Sequence, residues 1–153
     1  MIRAMLLALM TCALPGSAFA EAVRGQDPST VVTALQAGGY KAILAKDSAG
    51  DPRIESSTAG ATFHVNFYGC TKNTNCTTVT LYSGWNKKDI SLQQVNEWNK
   101  ARRFSRAYID KVGDPALEFD IDLDDGGMSE ALFIDNIEFW ELQIGEFKKH
   151  IGY

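Results

Sequence analysis

The clearest hydrophobic pattern in the chain is a stripe of large apolar residues near its C-terminus. Intervals of four, three, four, three and four residues separate its members, which are Phe133, Ile137, Trp140, Ile144, Phe147 and Ile151. This spacing places all of them on one side of a long helix. Because the stripe is short and also suits a helix lying across a sheet, we interpret it as intramolecular core. A helix seam between two copies of the chain is the alternative.

Two segments in the middle of the chain alternate apolar and polar residues and flank a short polar loop. Residues 63–68 alternate before Cys70, and residues 78–82 alternate after Cys76. Period-two patterns of this kind are typical of strands that bury one face. They predict a β-hairpin whose loop is closed by a disulfide between the two cysteines.

The two cysteines also predict the register of this hairpin. When they lie opposite each other, apolar residues pair on one face and polar residues on the other. The resulting pairs are Phe67–Val79, Val65–Leu81, Tyr68–Thr78 and His64–Tyr82. A redox-active pair is the alternative, but five intervening residues do not match the C-x-x-C spacing of thioredoxin-type sites. We therefore interpret the disulfide as structural.

Turn and capping residues divide the rest of the chain into further short elements. Ser29 is the predicted N-cap of a first helix, and Ser91 and Gln94 form a capping box for a second, with Leu92 and Trp98 on its apolar side. The predicted bounds are 29–37 and 92–103 for these helices, and 40–45, 53–57, 104–110 and 116–124 for further strands. The element order α-β-β-β-β-α-β-β-α predicts an α+β fold, with helices packed on an antiparallel sheet.

The last strand pair is predicted to be a hairpin centred on Gly113. A pairing symmetric about this residue sets Arg106 opposite Asp120 and Tyr108 opposite Glu118 on one face. The other face is apolar and predicted to be core. Opposite charges across a half-exposed sheet favour the correct register, so we predict a cross-strand ion pair between Arg106 and Asp120.

The N-terminus has the features of an export signal. Arg3 precedes an apolar run at residues 5–14, and Ala18-Phe19-Ala20 forms a small-x-small cleavage site. We predict that residues 1–20 are a cleaved signal peptide and that residues 21–153 form one domain in the periplasm, with an extracellular location as the alternative. The run is too short for a membrane-spanning helix, so no membrane insertion is expected after cleavage. A lipoprotein signal ending at Cys12 is the other alternative.

The charge balance limits the kinds of partner. The chain has 15 Lys+Arg and 19 Asp+Glu, a net charge of −4, and loss of Arg3 with the signal would make the remainder more acidic. Nucleic acids and anionic lipid surfaces both need a surplus of basic residues. Neither is therefore an expected partner.

No recognisable catalytic or metal-binding motif occurs in the sequence. Asp120, Asp122 and Asp124 alternate along one strand, but the surrounding residues do not match a calcium loop. His64 and His150 lack the neighbouring ligands that a zinc site requires. We therefore predict no catalytic residue, no metal ligand and no cofactor.

Residues 96–127 resemble a known family. Their motifs are Asn-x-Trp-Asn in a helix, Arg-Phe-x-Arg-Ala-Tyr in a strand, a Gly-Asp turn, and an acidic and apolar strand that ends in two glycines. This order resembles the YbjN-like family of bacterial proteins, and the last helix is similar to the closing element of that family. The resemblance implies a fold like that of the type III secretion chaperones and a role in regulating sensory transduction. It implies no established catalytic residues.

The leading functional hypothesis is a non-enzymatic exported module that binds a protein or peptide partner, as a homodimer through the helix seam or a sheet face. Aromatic residues and arginines dominate protein interfaces. The candidate partner-binding residues are Trp85, Trp98, Arg102, Arg103, Arg106 and Tyr108. The alternative is that the tryptophans are core and the arginines neutralise the acidic strand. A sensor of small molecules or cations is the second hypothesis, and a hydrolase is the third.

Overall fold

Three helices and six strands lie along residues 22–153, which are the residues that the computed structural model describes. The predicted signal peptide, residues 1–20, lies outside these described residues. The elements are α1 (Pro28–Ala37), β1 (Ile43–Lys46), β2 (Pro52–Thr58), β3 (Ala61–Tyr68), β4 (Thr78–Gly84), α2 (Leu92–Ala101), β5 (Ser105–Ile109), β6 (Pro115–Asp122) and α3 (Glu130–Ile151). This confirms the predicted α+β fold and its element order.

The strands form one antiparallel sheet with the order β1-β2-β3-β4-β6-β5. The register of β3 with β4 is the predicted one, with Phe67 opposite Val79 and His64 opposite Tyr82. Cys70 and Cys76 are joined by a disulfide across the loop between these strands. Alternation and the position of the cysteines were therefore sufficient to define this hairpin.

The helices pack against one face of the sheet, where the apolar positions of the strands form the core. The stripe on α3 lies in this core, with each of its six members at most 3% exposed. The Phe63 ring of β3 meets the Trp140 ring edge to face at 6.3 Å. The preferred interpretation of the stripe as intramolecular core is therefore correct. The same burial makes the stripe inaccessible as a seam between two copies.

The register of β5 with β6 differs from the prediction. Arg106 lies opposite Glu118, and Tyr108 lies opposite Ala116. The turn is closed by the Asp110 side chain, which accepts hydrogen bonds from the backbone N–H groups of Val112 and Asp114. The turn is therefore centred on Val112 and not on Gly113. A shift of two residues along one strand preserves the faces, so the predicted core and solvent sides are unchanged.

Two helix ends also differ from the sequence interpretation. Asp27, not Ser29, is the N-cap of α1, and its carboxylate accepts the backbone N–H of Ser29. The capping box of Ser91 and Gln94 is present at α2, but Leu92 is 75% exposed, so it does not belong to the buried side of that helix. Leu92 is the first residue of α2, and the buried residues of this helix, Val95 and Trp98, come later along it.

The edge of β5 is covered by helix α2. The Asn99 side chain accepts the N–H of Ala107 at 2.7 Å and donates to the carbonyl of the same residue at 3.0 Å. One amide thus takes both bonds that a neighbouring strand would make. This contact protects the edge against pairing with another chain.

Candidate functional site

The face of the sheet opposite the helices is lined by polar and aromatic side chains from β2 to β6. Because side chains alternate along a strand, these residues occupy the positions between the core residues. They are half-buried or exposed, except Thr80, which is buried. We call this surface the open sheet face, and define it by Arg53, His64, Asn66, Tyr68, Thr80, Tyr82, Arg106, Tyr108, Glu118, Asp120 and Asp122.

A row of side chains crosses the open sheet face perpendicular to the strands. The strand register places Glu55, His64, Tyr82, Glu118 and Arg106 side by side on five neighbouring strands. The rings of His64 and Tyr82 are nearly parallel, with centroids 6.4 Å apart. The row therefore presents a flat aromatic centre flanked by charged groups.

Arg106 lies between two carboxylates. One of its guanidinium nitrogens is 2.6 Å from Glu118, and another pairs with Asp120. The ion pair predicted between Arg106 and Asp120 is thus present, although Asp120 is a diagonal neighbour and not the opposite residue. Tyr108 donates its hydroxyl to Glu118 at 2.8 Å, and Thr80 donates to Asp120 at 2.6 Å. Each carboxylate therefore accepts bonds from two side chains.

The three tyrosines of this face are held in the protonated form. Partial burial raises the pKa of the Tyr108 hydroxyl, and its hydrogen bond to Glu118 and the charge of that residue raise it further. Partial burial and nearby carboxylates also raise the pKa values of Tyr68 and Tyr82. At neutral pH these phenols are hydrogen-bond donors and poor nucleophiles.

His64 is held in the neutral form by its surroundings. Burial lowers the pKa of the imidazole, and the charge of Arg53 lowers it further, against a smaller opposite effect of Glu55. The Arg53 guanidinium lies 2.9 Å from Nε2 of His64 and donates to the ring. Among the described residues Arg53 forms no ion pair, so its charge is not neutralised by a carboxylate.

The tryptophans predicted as partner-binding residues are core residues instead. Trp85 is 4% exposed and Trp98 is 2% exposed. Both rings pack on Phe147 of α3, at centroid distances of 5.1 and 4.9 Å. The indole N–H of Trp98 donates to the hydroxyl of Ser105, so this polar group is also satisfied inside the chain. The two tryptophans therefore cannot act as interface anchors without unfolding of the core.

The arginines predicted as partner-binding residues fall into two separate groups. Arg106 lies with Tyr108 on the open sheet face, as described above. Arg102 is stacked over the Trp98 ring at 5.4 Å and pairs with Glu146 of α3 at 3.1 Å. Arg103 follows at the end of α2, with its guanidinium 5.2 Å from the centroid of the exposed Phe104 ring. The structure therefore does not bring the six predicted residues together.

The acidic strand and the two histidines do not converge on one point. His150 lies on α3, with its Nε2 atom 2.8 Å from the carbonyl oxygen of Gln94. His64 lies on β3, on the open sheet face. Within residues 22–153 no cluster of three or more His, Cys, Asp or Glu side chains has the proximity that metal binding needs.

In the same part of the chain, no helix combines the length and the apolarity needed to cross a bilayer.

The sequence interpretation placed Tyr68 and Tyr82 on one polar face but missed Arg53 as a member of it, and did not join this face to that of Arg106 and Tyr108. Each was visible as the polar partner in an alternating strand. Their signal was the phase of the alternation, because positions between core residues must share the opposite face. The pattern predicted each hairpin but could not show that β4 lies beside β6, which joins the two hairpins.

Comparison with known proteins identifies the family of the chain. A family model matches residues 27–152, a range that contains every described helix and strand, and its description is "Putative bacterial sensory transduction regulator". Neither the curated proteins nor the solved structures gave a match. The match agrees with the resemblance that the motifs of residues 96–127 carry. This chain therefore belongs to the YbjN family.

Proposed function

We propose that this chain is a non-enzymatic regulatory module that binds an extended segment of a partner protein across the open sheet face. The observation that carries the proposal is the row of His64, Tyr82, Glu118 and Arg106, in which the two rings stack and Glu118 pairs with Arg106. The description of the family as a regulator supports a binding role at a general level.

The chemistry of the face suits recognition better than bond cleavage. Its tyrosines are protonated donors, and Arg106 is balanced by two carboxylates. Tyrosine combines a rigid apolar ring with one polar group, so it supplies contact area at a low cost in side-chain entropy. Because hydrogen bonds already hold Tyr108 and Arg106 on Glu118, these side chains lose less conformational freedom when a partner binds.

The charges that remain unpaired define the chemistry of the partner. Within residues 22–153, neither Arg53 on β2 nor Asp122 on β6 forms a salt bridge. They lie at opposite sides of the face. We expect a segment that places a carboxylate near Arg53 and a basic group near Asp122, with polar or aromatic side chains between them. Holding an extended segment in this way would be a chaperone-like activity.

The location of the module is part of the proposal. The predicted signal peptide at residues 1–20 and the bonded pair Cys70–Cys76 both support export to the periplasm, because structural disulfides persist in oxidising compartments. N-terminal sequencing of protein recovered from the periplasmic fraction should begin at Glu21. Recovery of the intact N-terminus from the cytosol would contradict export.

Site-specific photocrosslinking tests the binding surface. A photoreactive phenylalanine analogue replaces Tyr82 on the open sheet face or, as a control, Leu92 on α2, which is 75% exposed. We expect a discrete adduct with another protein from position 82 and not from position 92. A second substitution, Tyr68→Ala, should remove the adduct while the melting temperature stays near that of the parent protein.

Two results would contradict the proposal. One is the absence of any adduct from position 82 in cells that express the protein from its own promoter. The other is an adduct that forms equally from position 92, because contact would then be independent of the open sheet face.

A further inference from the structure

A groove lies between the start of β5 and the exposed side of α3, on the side of the sheet that carries the helices. It has a volume of about 290 Å³. Its floor is apolar and its wall on α3 is acidic. We call it the aromatic groove and define it by Phe104, Phe119, Phe139 and Leu142 on the floor and by Asp135 and Glu138 on the wall.

The floor of the aromatic groove exposes large apolar side chains. Phe104 is 64% exposed and Leu142 is 63% exposed. The Phe104 ring packs on Phe139 at 5.3 Å and on Phe119 at 6.0 Å, so the three rings form one continuous surface. Contiguous exposed apolar surface with a polar rim is typical of an interaction site.

The backbone at Phe104 is strained in a way that presents the ring to the groove. Its φ angle is +71°, in the left-handed region that glycine and asparagine adopt more readily than a bulky residue. Its packing on Phe119 and Phe139 buries only part of the ring, because the residue remains 64% exposed. A strained and exposed aromatic residue is better explained by a contact that it makes with a ligand than by stability of the fold.

The acidic wall determines the charge of the ligand. Neither Asp135 nor Glu138 forms a salt bridge within residues 22–153. Arg103 stacks on the Phe104 ring and is not one of the residues that line the groove. A cationic group along α3 would therefore meet two carboxylates that are not neutralised, while an apolar side chain meets the aromatic floor.

We propose that the aromatic groove binds a segment of a partner protein in which a large apolar side chain is flanked by lysine or arginine. This site shares no residue with the open sheet face, so the inference is independent of the function proposed above. The acidic wall supplies the charge complementarity, and Phe104 supplies the aromatic contact.

Fluorescence anisotropy with labelled model peptides tests the proposal on the intact, disulfide-bonded protein. The probe is a peptide with a central tryptophan that has two lysines on each side. Two further peptides serve as references: one has glycine in place of tryptophan, and one has glutamates in place of the lysines. We expect saturable binding of the first peptide and at least roughly tenfold weaker binding of the other two.

Substitutions of groove residues should change the affinity of the protein for the tryptophan peptide. Phe104→Gly removes the ring at a backbone angle that glycine favours, so the fold is retained, and we expect roughly tenfold weaker binding of the tryptophan peptide. The double substitution Asp135→Asn and Glu138→Gln should weaken binding and reduce its dependence on salt. Leu92→Ala removes an exposed apolar residue on α2 and should leave the affinity unchanged.

Three results would overturn the proposal. The first is the absence of saturable binding of the tryptophan peptide. The glycine peptide could bind with the same affinity, which would show general attraction to an acidic protein. Finally, Phe104→Gly could leave the affinity unchanged while the melting temperature confirms that the variant is folded.

Discussion

At the scale of single residues, the hydrogen bond between Arg53 and His64 on the open sheet face depends on pH. Burial and the Arg53 charge both lower the pKa of the imidazole from its ordinary value of 6.5. The neutral ring accepts a hydrogen bond from the guanidinium, whereas a protonated ring would repel it. The face should therefore keep this contact at neutral pH and lose it in acid.

We predict that NMR titration will give a pKa below 6.5 for His64, and that Arg53→Gln will move it upwards. The glutamine removes the repulsive charge and leaves the burial unchanged. Arg24→Gln is the matched control, because Arg24 is not among the groups that shift the pKa of His64. An unchanged pKa in the Arg53 variant would show that burial alone causes the shift.

The same shift has a consequence for stability. The folded state binds the proton of His64 less readily than the unfolded chain, so the contribution of the neutral ring is present above pH 6.5. It is lost as the pH falls below that value through the lowered folded-state pKa. Urea unfolding between about pH 8 and about pH 5.5 should show a shallower decrease for His64→Gln than for the parent protein.

The role of individual aromatic residues was the hardest feature to predict from the sequence. Trp85 and Trp98 have the residue type of interface anchors, yet both are buried on Phe147. Large aromatic residues favour cores and interfaces for the same reason, which is the apolar area that they remove from water. The fold alone determines whether such a residue lies in the core or at the surface. Phe104, unlike the two tryptophans, remains exposed at the surface.

At the scale of elements, the disulfide defines the hairpin of β3 and β4. Its loop is short, so closing it removes little freedom from the unfolded chain. We predict that the double substitution Cys70→Ser and Cys76→Ser lowers the free energy of unfolding by about 2 kcal/mol. Urea unfolding measures this value, and reduction of the parent protein with a thiol should give the same loss. A much larger loss would mean that the bond constrains more than this hairpin.

The bonds of Asn99 with the edge of β5 give a second prediction at this scale. Asn99→Ala removes two hydrogen bonds to Ala107 and should lower the free energy of unfolding by about 1 kcal/mol. Asn96→Ala is the control, since Asn96 is an exposed residue of the same type on the same helix. Chemical denaturation should distinguish the two variants, and equal stabilities would show that the edge contact contributes nothing.

The register of the β3–β4 hairpin was predicted correctly, whereas that of the β5–β6 hairpin was not. Both ends of the β3–β4 loop carry a cysteine, so one covalent bond defines which residues are opposite. The turn between β5 and β6 has no such constraint, and its centre depends on hydrogen bonds of the Asp110 side chain. The sequence indicated a turn there but not which residue would close it, and the predicted pairing was shifted by two residues.

At the scale of the whole molecule, the spacing of apolar residues in each strand and helix was enough to predict a sheet with helices packed on one face. Alternating strands have one apolar face, and the stripe on α3 covers that face. The functional surfaces were not predictable in the same way. The open sheet face depends on strand order, which places β4 beside β6 and so brings Tyr82 next to Glu118. The aromatic groove depends on the approach of β5 to α3.

The position of the α3 stripe in the core gives a final prediction that separates core from dimer seam. Ile144→Ala should lower the free energy of unfolding by about 3 kcal/mol, because Ile144 is fully buried in the chain itself. Leu142→Ala, on the exposed side of the same helix, should change it by less than about 0.5 kcal/mol. Denaturant midpoints measured over a hundredfold range of protein concentration should coincide for each variant. A seam between copies would instead make the midpoint rise with concentration, because association stabilises the folded state by mass action.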